Sequence, residues 1–201
     1  DPKSRKPEVM YGDTLEGDLE RRDFTVNAMA VRVPGHEFVD PYGGLADLGA
    51  KVLRTPGPPE RSFDDDPLRM LRAARFASQL GFRVDQKVRE AMTRMADRIE
   101  IVSAERIRDE LDKLICGAHP RAGLTLLVDT GLAERGLPGL PRLRLEIDEH
   151  HRHKDVYEHT LTVLEQAIAL ETSGPDRVLR WAALMHDVGK PKTRRLEPGG
   201  R

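Results

Sequence analysis

Pro56-Gly57-Pro58-Pro59 divides this chain into two parts that cannot share one continuous element. Proline has no backbone N–H and a fixed φ, so neither a helix interior nor a central strand runs through such a tract. On its N-terminal side the apolar residues come in short runs. Ala30-Val31-Arg32-Val33, then Pro34-Gly35-His36, then Glu37-Phe38-Val39 predict a β-hairpin. Asp40-Pro41-Tyr42-Gly43-Gly44 reads as a turn and Lys51-Val52-Leu53-Arg54 as a further short strand. Residues 1–15 are polar and read as a flexible loop.

Beyond the tract the period becomes helical. Leu68, Leu71, Ala74, Phe76 and Leu80 mark one helix, with Pro67 in its first turn, Asp64, Asp65 and Asp66 around its N-terminus, and Gly81 as its cap. A second helix is predicted over about Asp85–Ile99. A third starts at Ser103, with Ile107, Leu111, Leu114 and Ile115 on its apolar face. Shorter helices follow around Arg121–Asp129, Gly136–Pro141 reads as a second boundary, and two helices at about Val156–Leu170 and Asp176–His186 close the chain. Phe76, Phe82, Met92 and Met95 read as core. With aromatics at only 4% of 201 residues, the composition suits helices better than a β-sandwich.

Charge and cysteine content narrow the function classes. The 33 basic and 34 acidic residues balance to −1, which excludes a globally basic nucleic-acid binder but leaves room for a local groove. From Arg61 to Arg108 there are 11 basic and 8 acidic residues, a local +3. No stretch approaches the 18 or so apolar residues of a membrane span. Cys116 stands alone, which excludes an internal disulfide framework and a cysteine zinc site. It reads as a buried, inert thiol in a reducing cytoplasm.

Arg69, Arg72 and Arg75 lie three apart, and Asp65 and Asp66 precede Arg69 by four and three residues. Spacing alone allows two readings. One is a solvated helix face held by ion pairs worth a few tenths of a kcal/mol each. The other is a base-edge reader, in which a guanidinium donates to ring acceptors and a carboxylate accepts from an exocyclic amine.

The block Asp18-Leu19-Glu20-Arg21-Arg22-Asp23-Phe24-Thr25-Val26-Asn27-Ala28-Met29-Ala30 closely resembles a motif of the class II tRNA nucleotidyltransferases, the bacterial-type CCA-adding enzymes and their poly(A) polymerase relatives. Asp40–Leu48 resembles the hinge motif of that family, Phe63–Phe76 its nucleotide-template motif, and Glu105–Leu111 the neck motif that follows. The resemblance implies an α+β, mostly α fold: a short β-hairpin remnant of a polymerase-β-like head, a helical neck and body, then the first helices of a further domain. It implies addition of C, C and A to tRNA 3′ ends from CTP and ATP, with protein side chains selecting the base. Asp65, Asp66 and Arg69 would be those side chains, with Arg72 and Arg75 in the same motif. Arg22, Asp23 and Asn27 would face the triphosphate or sugar. Asp65 stands where the family has Glu, one methylene shorter. In the family a Gly-Gly phosphate-binding turn and an Asp-x-Asp pair, the latter holding two Mg²⁺ ions for in-line transfer, precede the Arg-Arg-Asp motif, and no Asp-x-Asp lies in residues 1–17. The catalytic Mg²⁺ ligands are therefore expected outside this chain, which reads as an internal fragment inactive by itself.

His150, His151, His153, His159, His186 and Asp187 crowd the last third. His186-Asp187 ends an apolar run and is followed by Val188-Gly189-Lys190-Pro191, and His159 follows Asp155-Val156-Tyr157-Glu158. This resembles the start of an HD domain, whose metal sites follow His…His-Asp…Asp. His159, His186 and Asp187 would then supply three ligands to a divalent transition metal such as Mn²⁺, Fe²⁺, Ni²⁺ or Zn²⁺, and a fourth would lie beyond Arg201. The expected division is 1–57 head, 58–141 neck and body with the RNA-binding region, and 142–201 a truncated HD domain. The implied partners are a tRNA or other RNA 3′ end with ATP and CTP, held mainly through salt-sensitive phosphate contacts, with no membrane involved. Rival readings are a poly(A) polymerase on the same scaffold, an HD-type metal-dependent phosphohydrolase, and a non-catalytic RNA-binding module.

Overall fold

The structure is a computed structural model that describes residues 14–145 and 156–193. The expected loop over residues 1–15 lies almost wholly outside the described residues, as do His150, His151 and His153. Helix α1 (Leu15–Glu20) is capped by Thr14, whose Oγ1 accepts from Gly17 N–H at 3.2 Å. A 3₁₀ turn (Thr25–Asn27) leads into strands β1 (Ala30–Arg32) and β2 (Glu37–Val39). They pair antiparallel with Val31 opposite Phe38, as the hairpin pattern predicts.

The stretch read as a turn does turn at Pro41-Tyr42, and its last residue, Gly44, opens a helix. Asp40 accepts from Gly44 N–H at 2.6 Å and Leu45 N–H at 2.9 Å, which caps α2 (Gly44–Ala50). Gly44 is required there, because a Cβ would come within 2.2 Å of the Thr25 carbonyl oxygen. Strand β3 (Val52–Leu53) follows.

The proline tract starts a helix as well: α3 (Pro59–Asp65) has proline in its first turn, where the missing N–H costs nothing. Asp64 and Asp65 therefore end α3 rather than open the next helix. The reason is Pro67, whose ring disfavours helical backbone at the residue before it; Asp66 is extended at φ −147°, ψ 99°. Helix α4 (Leu68–Leu80) begins after this break and ends at Gly81, which adopts φ +66°.

Strand β4 (Arg83–Val84) pairs parallel with β3, a contact between segments some thirty residues apart. Helix α5 (Gln86–Met95) is shorter than predicted, the rest being 3₁₀ (Ala96–Ile101). Helix α6 (Ala104–Ile115) has Ser103 in the N-cap position without a side-chain cap bond. Then come α7 (Pro120–Asp129), α8 (Ala133–Gly136) and α9 (Gly139–Arg142). The last two occupy the stretch read as a boundary, and Leu137 and Leu140 are buried there. Helices α10 (Val156–Ala169), α11 (Arg177–Met185) and α12 (Lys190–Thr193) complete the described chain.

Helix α4 is the axis of the fold. Its buried set (Leu68, Met70, Leu71, Ala73, Ala74, Ala77, Ser78) covers more than one face, and it packs against both α6 and α7. Small residues make this approach close. A Cβ at Gly123 would lie 2.6 Å from the Ala74 carbonyl oxygen, and one at Gly117 would lie 2.1 Å from Ser78 Oγ. Ser78 Oγ itself donates to the Leu114 carbonyl at 2.6 Å. One hydrophobic core runs from Phe24 through α4–α7 to Leu184 on α11. Met92 is fully buried, while Phe76, Phe82, Met95 and Cys116 are half-buried against it. Burial pushes the Cys116 thiol up, so it stays protonated near neutral pH.

Arg180 ties the last helices to this core. It is 4% exposed, and its guanidinium grips Glu171 through two bonds of 2.7 Å and donates to the carbonyls of Ile115 (2.9 Å) and Gly117 (2.7 Å). Trp181 Nε1 adds a bond of 2.7 Å to Asp112. Removing one partner from such a buried pair costs about 3–5 kcal/mol. Arg180→Met is expected to lower unfolding stability by about that much in urea, against less than about 1 kcal/mol for the exposed Arg177→Ala.

The Arg180 hydrogen bond holds the Glu171 carboxyl below its ordinary value, so the stability it adds is present above that ordinary value and is lost as pH falls through the lowered one. Glu171→Gln should flatten acid unfolding below about pH 4.5.

Candidate functional site

The arginines of α4 do not form one exposed ladder; each turns to a different element. Arg69 Nη1 donates to Ser62 Oγ at 2.9 Å and to the Ser62 carbonyl at 3.3 Å, and its Nη2 donates to the Arg21 carbonyl. Arg72 Nη2 lies 2.7 Å from Asp23 Oδ2. Arg75 Nε lies 2.7 Å from Glu110 Oε2 on α6, with its guanidinium 4.2 Å from the Phe76 ring. Both residues of the Arg75–Glu110 pair are largely buried, and that burial pulls the arginine below its ordinary value.

Asp23 is the hub on the head side. It is 5% exposed, and its Oδ1 accepts from Phe24 N–H at 2.9 Å and Asn27 Nδ2 at 3.0 Å. Phe24 meets Phe76 edge-to-face at 5.7 Å. Arg22 points outward and pairs with Asp18 at 2.8 Å. Behind this segment, Asp47 accepts from Thr25 Oγ1 at 2.7 Å and Arg54 Nε at 2.9 Å. Burial raises the Asp47 carboxyl, but these bonds outweigh it and hold it below the ordinary range.

Asp65 and Arg69 share a small cleft with Arg21, Arg61, Ser62 and Glu20, about 170 Å³ in volume. The Asp65 carboxylate is exposed and has no hydrogen bond or ion pair among the described residues. The cleft thus presents a free carboxylate acceptor beside a fixed guanidinium, the two halves of a base edge. Asp66 points elsewhere: its Oδ1 accepts from Leu68 N–H at 3.2 Å and its Oδ2 pairs with Arg106 on α6 at 3.3 Å. Of the base-reading trio, the cleft therefore holds two. Because the chain breaks at Asp66, Asp65 and Arg69 are not neighbours on one helix. Ser62 and the Arg21 carbonyl, which fix Arg69, were not singled out from sequence; no spacing rule brings positions 21, 62 and 69 together.

At the other end of the molecule, His159 on α10 meets His186 and Asp187 after α11. One ligand atom from each lies within 4.8 Å of the others, and the two imidazoles stand 5.7 Å apart. His186 Nδ1 is 2.8 Å from the Ala183 carbonyl, and its Nε2 is 3.0 Å from Asp187 Oδ2. Lys190 Nζ lies 2.7 Å from the same carboxylate oxygen. The donor set of two imidazoles and a carboxylate fits a borderline divalent metal.

Residues 1–54 match the family model "Poly A polymerase head domain", residues 81–143 "Probable RNA and SrmB- binding site of polymerase A", and residues 156–199 "HD domain". The A-adding tRNA nucleotidyltransferase of Deinococcus radiodurans is 40% identical over 189 residues, 92% of this chain and 43% of the relative. The chain belongs to the tRNA nucleotidyltransferase and poly(A) polymerase family. The multifunctional CCA protein of Azoarcus sp. (strain BH72), another member, is 42% identical over 90% of this chain and 43% of the relative. This family member thus spans less than half the length of the curated relatives it matches. Among solved structures, a tRNA nucleotidyltransferase complexed with a primer tRNA and an incoming ATP analog superposes with a TM-score of 0.70 at 27% identity, over 94% of this chain and 54% of that one. The Bacillus stearothermophilus CCA-adding enzyme in complex with CTP gives 0.63 at 29% identity, over 93% of this chain and 50% of that one.

The Asp23–Arg72 pair generates a test of the joint between head and neck. Asp23→Ala leaves Arg72 without its acid and should cost about 1–3 kcal/mol. Hydrogen exchange should show faster opening at Phe24 and Asn27, with α6 and α7 amides accelerated by no more than the global destabilisation.

Proposed function

We propose that this chain supplies the base-selecting neck and the RNA-facing body of an enzyme that adds CCA to tRNA 3′ ends from CTP and ATP. The observation that carries the reading is the Asp65–Arg69 cleft. It offers donor and acceptor side by side, next to the head segment that holds Arg21, Arg22, Asp23 and Asn27. Arg69 donates to the ring acceptors of either base, and a carboxylate from Asp65, or from Asp66 once released by Arg106, accepts from the exocyclic amine. Arg72 and Arg75 hold the helix that carries Arg69 rather than touching the nucleotide. At about 170 Å³ the cleft is smaller than typical small-molecule sites, so the rest of the nucleotide is held by groups outside these residues. Mg²⁺, held by carboxylates expected outside this chain, would supply charge neutralisation during transfer. Head, neck with body, and HD portion divide as 1–57, 58–141 and 142–201, and the work is done in the cytoplasm.

The name of the Deinococcus relative favours a second reading, in which only the terminal A is added. The experiment is incorporation of labelled CTP and ATP by the full-length protein with Mg²⁺, on tRNA lacking CCA and on tRNA lacking only A. Two C additions, one A and a stop support CCA addition. A on the second substrate alone supports the A-adding reading, and long A tails support poly(A) synthesis. In this assay Arg69→Ala should lower use of CTP and ATP alike, by tenfold or more. Asp65→Ala and Asp66→Ala should change CTP/ATP discrimination, and unchanged ratios in both would remove the carboxylates from base reading.

We further propose that His159, His186 and Asp187 bind a divalent metal. Calorimetry with Mn²⁺ or Zn²⁺ should show one site in the full-length protein, lost in His186→Ala. Lys190→Ala should tighten it, because Asp187 is then freed. No heat above the His186→Ala baseline would reject the site.

A further inference from the structure

A second and larger cavity, about 590 Å³, lies on the other side of α4 between β4, α5, α7 and α10. Its walls are apolar: Phe82, Val84, Leu126 and Ile168. Two guanidiniums stand on its rim. Arg83 is exposed, and its side chain has no hydrogen bond or ion pair among the described residues. Arg89 reaches Asp129 only at 3.5 Å, and Asp129 is engaged more closely by Arg144 at 2.7 Å. A third arginine is spoken for: Arg121 holds Glu165 and Glu158 at 2.8 Å and so clamps α10 against α7 as the cavity wall. His119 is wedged against Gly81, where a Cβ would come within 2.9 Å of the imidazole, so this corner is set by backbone geometry.

We propose that this cavity receives one unstacked nucleotide of the RNA substrate, its base against the apolar wall beside Phe82 and its phosphate at Arg83 and Arg89. The proposal rests on the reading that the protein acts on RNA. A purely apolar ligand would have no use for the two rim cations, and a bare anion none for the apolar wall. A base joined to a phosphodiester has both parts, and base–aromatic stacking is the usual way proteins hold unpaired RNA bases. The volume falls within the range of small-ligand sites and is too narrow for a duplex. The charge balance selects a strand over a free nucleotide. With Asp129 and Glu165 also on the lining, two rim arginines suit the single charge of a phosphodiester better than a triphosphate.

The test uses the full-length protein with tRNA lacking CCA. Ala122 is exposed on α7 and lines the cavity, so Ala122→Trp plugs it from the solvent side. Arg83→Ala removes the rim charge without touching the core. Affinity is read by fluorescence anisotropy, and base reactivity along the tRNA by chemical probing. Ala122→Trp is expected to weaken tRNA binding about fivefold or more and to restore the reactivity of one base that the wild type protects. Arg83→Ala should weaken binding and reduce the salt slope by about one counterion, with the KM values for CTP and ATP unchanged in both. Should the plugged variant fail to fold, Arg83→Ala and the protected base still decide. Wild-type tRNA affinity and footprint in both variants, with incorporation intact, would overturn the cavity and leave the proposed activity standing. Absence of tRNA binding by the wild type would overturn both. Saturable AMP binding that Ala122→Trp abolishes, with tRNA affinity unchanged, would overturn the RNA assignment in favour of a free nucleotide.

Discussion

The contact between Asp23 and Arg72 holds the parts of this molecule in their working arrangement. A carboxylate that is 5% exposed is costly to bury unless it is satisfied. Here two donors from the head bond to its Oδ1, and the Arg72 guanidinium on α4 offsets the charge at Oδ2 as an ion pair at 2.7 Å without hydrogen-bond geometry. Phe24, next in the chain to Asp23, also meets Phe76 of α4 edge-to-face. Because Arg69 is one helical turn from Arg72, locking Arg72 to the head also sets where Arg69 lies relative to Arg21 and Ser62. Arg75 repeats the device one turn further on, against Glu110 of α6. Three arginines at a spacing of three residues thus join head, neck and body through a single helix.

The three arginines do not form one solvated face: Arg72 and Arg75 pair with Asp23 and Glu110, and Arg69 is held at a cleft by Ser62 and the Arg21 carbonyl. The same economy holds near the C-terminal end of the described chain. Arg180, buried against Glu171 and two carbonyls, seats α11 on the body, and α11 in turn brings His186 and Asp187 within reach of His159 on α10. Both candidate sites depend on paired arginines outside them, Arg72 half-buried and Arg180 buried.

Much of this was legible from residue order. The hairpin, the Gly81 stop of α4, and helices α6, α7, α10 and α11 follow from apolar period and end signals, which act over a few residues, whereas α8 and α9 fill the stretch read as a boundary. The His159–His186–Asp187 cluster was legible through the resemblance of its sequence context to the start of an HD domain, and the three donor atoms do come together. Other features turned on longer-range or subtler causes. The parallel β3–β4 pair joins segments whose pairing no local pattern announces. Helix α2 depends on Asp40 bonding to amides four and five residues on, where the Pro-Tyr-Gly-Gly run suggested only a turn. The break at Asp66 follows from Pro67, whose effect on the preceding residue outweighed the helical spacing of Asp65 and Arg69. That break turns Asp66 toward Arg106 and leaves Asp65 alone in the cleft, an outcome set by α6 rather than by the motif.

The central claim is that the guanidinium of Arg69, held by the head and by Ser62, meets the incoming base. A crystal structure of the full-length protein with CTP tests it most directly. The account predicts the cytosine N3 and O2 within hydrogen-bond distance of Arg69, its exocyclic amine on the Asp65 or Asp66 carboxylate, and the Asp23–Arg72 pair intact. A base bound away from Arg69, with the guanidinium still on Ser62 and the Arg21 carbonyl, would contradict it.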